Sequence, residues 1–265
     1  MLMASIGMPL SLVTVIAGKW VFGDALCQYQ GFIGTFLGTV SLLTIMLTAI
    51  NRYCKITWTA SRYASTFTRA STLRRISLVW GLAFLPPIIY LLTGHRYVYH
   101  PGKAMCFFDL NNASTLYAVS TITLVVFLPF CTITFCYYKV YKSVRNHNKV
   151  AVQDAREETP GPFGISEIKL TKMLFAILLG FLVCWSPFVA IDVINSINGQ
   201  FSQDRWVYLV YTGCAGLASC VNPLIYSVMN AGFREEFKAM LAFRIRRDNG
   251  VNPTRPRSEA NKITS

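Results

Sequence analysis

Apolar residues fall in long blocks along this chain, near 1–18, 25–50, 74–93, 115–138, 170–194 and 206–229, and polar residues collect between them. An α-helix needs about 20 apolar residues to cross a hydrocarbon core of ~30 Å. Backbone groups in lipid must be satisfied within the segment, so each block is predicted to be a helix. Six such blocks are too many for the core of one soluble domain. Charge is nearly absent inside them, and Asp192 stands near the end of the fifth. Pro9, Pro187 and Pro223 each remove an intrahelical hydrogen bond and mark predicted kinks.

The connecting stretches carry their own pattern. Residues 154–164, "DAREETPGPFG", read as a loop by their charge, Pro and Gly. After the sixth block, "AGFREEFKAML" places Phe233, Phe237, Met240 and Leu241 on one helical face and charges on the other. That is the pattern of an amphipathic helix lying on a membrane surface. From about Arg247 the sequence turns polar, with scattered Pro, and reads as disordered. The expected organisation is a transmembrane bundle over 1–230, a surface helix over 231–245 and a tail over 246–265.

Composition strengthens the membrane reading. Of 265 residues, 53% are hydrophobic and 14% charged, where soluble domains carry about a quarter charged residues. The net charge of +13 raises nucleic acid as a partner, but its distribution argues against one. With the blocks crossing alternately, one side holds Lys19, Arg96, Lys103 and Arg205, and the other holds the remaining 21 of 25 basic residues. Positive charge stays on the cytoplasmic side during insertion. The 54–73 and 139–169 segments and the tail are therefore assigned to the cytoplasm, where they face anionic lipid. The segments near 19–24, 94–114 and 195–205 face outward.

Asn112-Ala113-Ser114 is a glycosylation sequon in an outward segment. Cys27 and Cys106 also lie outward, where disulfides persist, and the other six cysteines sit in helices or at the cytoplasmic boundary. No CxxC pair or His/Cys metal spacing occurs, so neither a metal nor a cofactor is expected. The chain opens without the basic start and cleavage site of a signal peptide. Met1 is accordingly read as an internal methionine of a longer frame.

Several motifs recur in order along the blocks. Asn51-Arg52-Tyr53 ends the second, Trp80 lies in the third, and Pro129 and Tyr137 lie in the fourth. Cys184-Trp185-Ser186-Pro187 lies in the fifth, and Asn222-Pro223-Leu224-Ile225-Tyr226 ends the sixth. Cys27 precedes Arg52 by 25 residues, and Cys106 sits in the second outer loop. Together they resemble the rhodopsin-like class of G-protein-coupled receptors. The resemblance covers residues 1 to about 245 and assigns the blocks to helices two to seven of a seven-helix, all-α membrane bundle. Helix one and the start of helix two are then expected upstream of Met1. Within the class, "INRYCKITWTASRY" resembles the melatonin-receptor group, including the spacing from Asn51 to Tyr63.

The resemblance implies roles. Arg52, flanked by Asn51 and Tyr53, closes the cytoplasmic cavity at rest and contacts the G protein when active. Glu167, 18 residues before Trp185, falls where the arginine's acidic partner is expected. Trp185 senses ligand at the pocket floor, Pro187 and Pro223 let helix ends swing, and Tyr137 and Tyr226 meet near Arg52 on activation. Asn222 belongs to the last of these motifs. A Cys27–Cys106 bond roofs the pocket. Gly34, Phe108, Val125, Trp185, Phe188 and Tyr211 are expected to line it, with Asp192 near its mouth.

Ligand class follows by comparison with the family. Amine receptors carry an aspartate where this chain has Gly34, and opsins carry a Schiff-base lysine where it has Gly216. The melatonin group's polar anchors are replaced by Leu110, Tyr90 and Val125. The expected ligand is a small, largely neutral extracellular molecule, and the expected partner a heterotrimeric G protein at the plasma membrane. No enzymatic activity is expected. A non-signalling helical partner of other receptors is an alternative. A channel or transporter is another, but it requires intramembrane charges or discontinuous Gly-rich helices that these blocks lack.

Overall fold

A computed structural model of the chain describes residues 2–109, 115–153, 165–198, 203–229, 232, 234–236 and 238–240. The elements are helices α1 (Leu2–Ala17), α2 (Gly23–Thr57), α3 (Ala60–Thr66), α4 (Arg69–Ala83) and α5 (Leu85–Leu92), then strands β1 (Tyr97–His100) and β2 (Met105–Phe108). Helices α6 (Thr115–Thr121), α7 (Leu128–Gln153), α8 (Ile165–Asn198) and α9 (Arg205–Met229) complete the bundle. Five segments are long and apolar enough to span a bilayer: Gly23–Thr57, Arg69–Leu92, Val119–Arg145, Leu170–Asn195 and Arg205–Met229. The sixth expected block is α1, whose 16 described residues extend about 24 Å at 1.5 Å each.

Two expected single helices are interrupted, each for a reason in the sequence. The third block divides at Phe84, whose N–H donates to Gly81 O at 3.2 Å. Pro86 and Pro87 follow and offer no N–H to the carbonyls one turn back. The fourth block contains a π-helical turn over Ile122–Phe127. Pro129 leaves the Val125 carbonyl without its helical donor, and the wider turn accommodates that loss.

Helix α2, 35 residues long, is the axis of the bundle. It packs against α1, α4, α5, α7 and both strands, while α8 packs along α9. Ala49 of α2, Ile133, Cys136 and Tyr137 of α7 and Leu178 of α8 form one buried cluster. Phe36, Leu37 and Val40 of α2 form another with Ala83 of α4. Phe188 and Ile191 of α8 pack with Tyr208 and Tyr211 of α9. Ile16, Leu92, Val183, Trp206 and Val228 turn outward, as lipid-facing side chains do.

Candidate functional site

The outer end of the bundle is roofed by the β1–β2 hairpin. The strands are antiparallel, with Tyr97 opposite Phe108 and Tyr99 opposite Cys106. Cys106 is disulfide-bonded to Cys27 near the start of α2, as the family resemblance implies. Two glutamines of α2 reinforce the attachment. Gln28 accepts from Tyr97 N–H at 3.0 Å and donates to Tyr97 O at 2.8 Å. Gln30 accepts from Cys106 N–H at 2.8 Å and donates to Ser11 of α1 at 3.1 Å. Gly31 follows Gln30, and the Tyr97 ring fills the space a Cβ there would need.

Strand alternation sends neighbouring aromatics of β2 to opposite sides. Phe108 packs with Tyr90, Tyr97 and Tyr117, whereas Phe107 faces α8 and α9. The turn between the strands carries Lys103, which is wholly buried. Its Nζ donates to Asp192 Oδ1 of α8 at 2.7 Å. The ammonium lies 4.5 Å from the Phe107 ring centroid and 4.2 Å from that of Tyr211. Tyr211 donates its hydroxyl to Asp192 Oδ2 at 3.2 Å. Thr212 donates to Lys103 O at 2.6 Å. Burial pushes the Lys103 ammonium below the ordinary lysine range, and the charge and hydrogen bond of Asp192 oppose that shift.

His100 closes the same turn. Its Nδ1 accepts from Lys103 N–H at 3.3 Å, and its ring lies 4.7 Å from that of Tyr208. Burial, and then the Lys103 charge, push His100 down to about 4.

An aromatic column leads inward from this roof. Tyr211 stacks on Phe188 with centroids 3.6 Å apart, and Phe188 lies 5.0 Å from Trp185. The Trp185 ring rests against α2 at Gly38, where an added Cβ would sit 3.3 Å away. Below Trp185 opens a cavity of about 400 Å³, lined among others by Ser41, Thr44, Trp80, Tyr137, Ser219 and Tyr226. Trp185 therefore lies between the outer aromatic cluster and the inner cavity.

At the inner end of α2, Asn51 donates to the Tyr63 hydroxyl at 3.2 Å, and Tyr63 donates back at 3.4 Å. This bond ties α3 to the end of the span. Lys55 lies over Tyr63, Arg62 over Trp58 and Arg75 over Phe67. Tyr53 packs against the cluster that contains Tyr137, and its ring lies 6.1 Å from Phe135. Arg52 is half-buried and an electrostatic neighbour of Tyr137.

A family model described as 7 transmembrane receptor (rhodopsin family) matches residues 1–226. The chain belongs to this family. It is 28% identical to melatonin receptor type 1B-B of Danio rerio over 233 residues, covering 86% of this chain and 65% of that protein. It is 30% identical to rhodopsin of Sepia officinalis over 242 residues, covering 86% and 51%. The crystal structure of squid rhodopsin superposes with a TM-score of 0.70 at 25% identity, covering 91% of this chain and 71% of that one. The chain thus spans about two thirds of the first of these relatives and about half of the second. Members of the rhodopsin family are signalling receptors rather than enzymes.

Within this receptor chain the expected residues separate into groups. Trp185, Phe188, Tyr211 and Asp192 come together in the outer layer. Phe108 belongs instead to the cluster around the disulfide. Gly34 faces open space, and Val125 sits half-buried in the π turn. At the opsin lysine position, Gly216 faces the Met8 thioether of α1, where an added Cβ would sit 3.3 Å away. Pro187 and Pro223 lie inside α8 and α9. Asn112, and the side chains of Glu167 and Asn222, lie outside the described residues. Lys103 was not anticipated as a site residue. The Pro101-Gly102 pair between two aromatic-rich tetrads signals a hairpin, but the inward direction of Lys103 comes from the packing against α8.

Proposed function

We propose that the protein is a G-protein-coupled receptor of the plasma membrane that reports a small extracellular ligand to a heterotrimeric G protein. The observation that carries this reading is the aromatic column from the hairpin to Trp185, set above a cavity that reaches Tyr137 and Tyr226. A ligand that moves the column shifts Trp185, and the open layer beneath gives the inner ends of α8 and α9 room to rearrange. Binding more tightly to the rearranged bundle is sufficient for agonism.

Asp192 is already neutralised by Lys103, which supports a ligand without formal charge. The apolar lining suits such a ligand, with few polar anchors. The melatonin receptors among the relatives support a small-molecule ligand by analogy of family alone. Asn51, Arg52 and Tyr53 form the coupling surface in this reading, Glu167 pairs with Arg52 at rest, and Asn222 sits at the α9 hinge. The helical residues within 232–240 support a surface helix, followed by a cytoplasmic tail.

Nucleotide exchange on purified heterotrimeric G proteins, measured with the receptor in lipid vesicles, tests the reading. Exchange above empty vesicles, lost in Arg52→Ala, supports it. Exchange indistinguishable from empty vesicles across the G-protein classes, with and without a ligand library, removes it.

A further inference from the structure

We infer that Asp192, Tyr211 and Phe107 form a binding site for a primary alkylammonium group, that Lys103 is its tethered occupant, and that this occupancy sets ligand specificity by keeping soluble amines out. The inference rests on the receptor reading only for the word ligand; the site itself stands on geometry.

A simple structural ion pair needs two opposite charges. This site supplies more. One carboxylate oxygen takes the ammonium at 2.7 Å, and the other is held by the Tyr211 hydroxyl at 3.2 Å, which fixes the carboxylate plane. Two aromatic rings stand 4.2 and 4.5 Å from the same nitrogen. A carboxylate with aromatic faces around it is the chemistry that recognises organic ammonium groups.

The peptide carrying Lys103 is fixed independently of its side chain. Thr212 holds its carbonyl, His100 accepts from its N–H, and Gly102 is packed under Tyr208. Truncating the side chain at Cβ therefore leaves the turn in place and opens a slot. The atoms removed by Lys103→Ala are three methylene carbons and the ammonium, which is the shape of n-propylammonium. The Asp192 side chain keeps 25% of its surface exposed, so the slot is within reach of a small cation. In the native chain the tether holds the amine at a local concentration of roughly millimolar or above, which a dilute soluble amine cannot match.

The experiment measures the thermal midpoint of purified receptor in detergent, a readout independent of any G protein. Failure of the signalling reading therefore leaves this result standing, and the reverse. In Lys103→Ala, n-propylammonium raises the midpoint and binds roughly tenfold more tightly than 1-propanol, the value of one charge-assisted hydrogen bond. The native chain and Lys103→Ala/Asp192→Asn show no such shift. An equal shift with 1-propanol, a shift that persists in the double variant, or an unresponsive Lys103→Ala overturns the inference. If Lys103→Ala yields no folded protein, its surface expression is compared with and without n-propylammonium in the medium. Recovery supports the site, and no recovery overturns it.

Discussion

Lys103 and Asp192 stand 89 residues apart in sequence, and their side chains meet at 2.7 Å. The pair fastens the hairpin turn to α8, and Tyr211 extends the contact to α9. Because α2 holds the same hairpin through Cys27–Cys106, Gln28 and Gln30, three helices share one roof.

Breaking the pair from one side is expected to cost more than removing both charges. Asp192→Asn leaves a fully buried ammonium without its counter-charge, at about 3 kcal/mol or more. Lys103→Met/Asp192→Asn removes the ammonium as well and is expected to recover most of that loss. Equilibrium unfolding of the two variants in detergent measures the difference.

His100 gives the roof a pH dependence. Its folded-state value of about 4 lies below the ordinary 6.5, so the unfolded chain binds more protons between those values. Stability therefore rises with pH across that window, is fully present above pH 6.5 and is lost below about 4. The full effect is about 3 kcal/mol at 1.36 kcal/mol per unit. Unfolding midpoints recorded on either side of the window are expected to converge in His100→Gln.

Two glycines of α2 are expected to respond oppositely to a methyl group. Gly31→Ala meets the Tyr97 ring, and Gly34→Ala meets open space. The first is expected to cost about 1–3 kcal/mol by overpacking and to lower the yield of the Cys27–Cys106 bond. The second is expected to stabilise by about 0.5–1 kcal/mol, since it removes a mid-helix glycine, and to leave the bond's yield unchanged. Thermal midpoints with thiol counting on purified protein check this.

Tyr63→Phe removes the bond to Asn51 and leaves the ring in place. A loss of about 1 kcal/mol is expected. Amide exchange over Ala60–Thr66 should quicken roughly fivefold, while exchange in the middle of α2 stays unchanged.

The sequence made the spans legible because lipid forbids other solutions: long apolar blocks with basic ends have one reading. The disulfide was legible through family resemblance, whereas the Asn51–Tyr63 bond was not: the motif offered a spacing and no contact. The breaks at Phe84 and over Ile122–Phe127 are signalled by Pro86, Pro87 and Pro129, but the length of each apolar block favours one continuous helix. Lys103 was the harder case. It sits in a polar loop that charge counting places in water, and only the hairpin register and α8 packing bring it to Asp192. Phe107 and Phe108 were indistinguishable by composition, and strand alternation alone separates them.

In the proposed receptor, α8 pivots about Pro187 between a resting and a coupled bundle. Paired spin labels at Thr57, ending α2, and Lys172, near the inner end of α8, report that movement by pulsed electron resonance. Cys131 and Cys220, both exposed, are replaced by Ser for this purpose. With nucleotide-free G protein added to receptor in lipid discs, the distance is expected to lengthen by several ångströms, roughly the scale of one helical turn. A distance distribution unchanged by every G-protein class would contradict it.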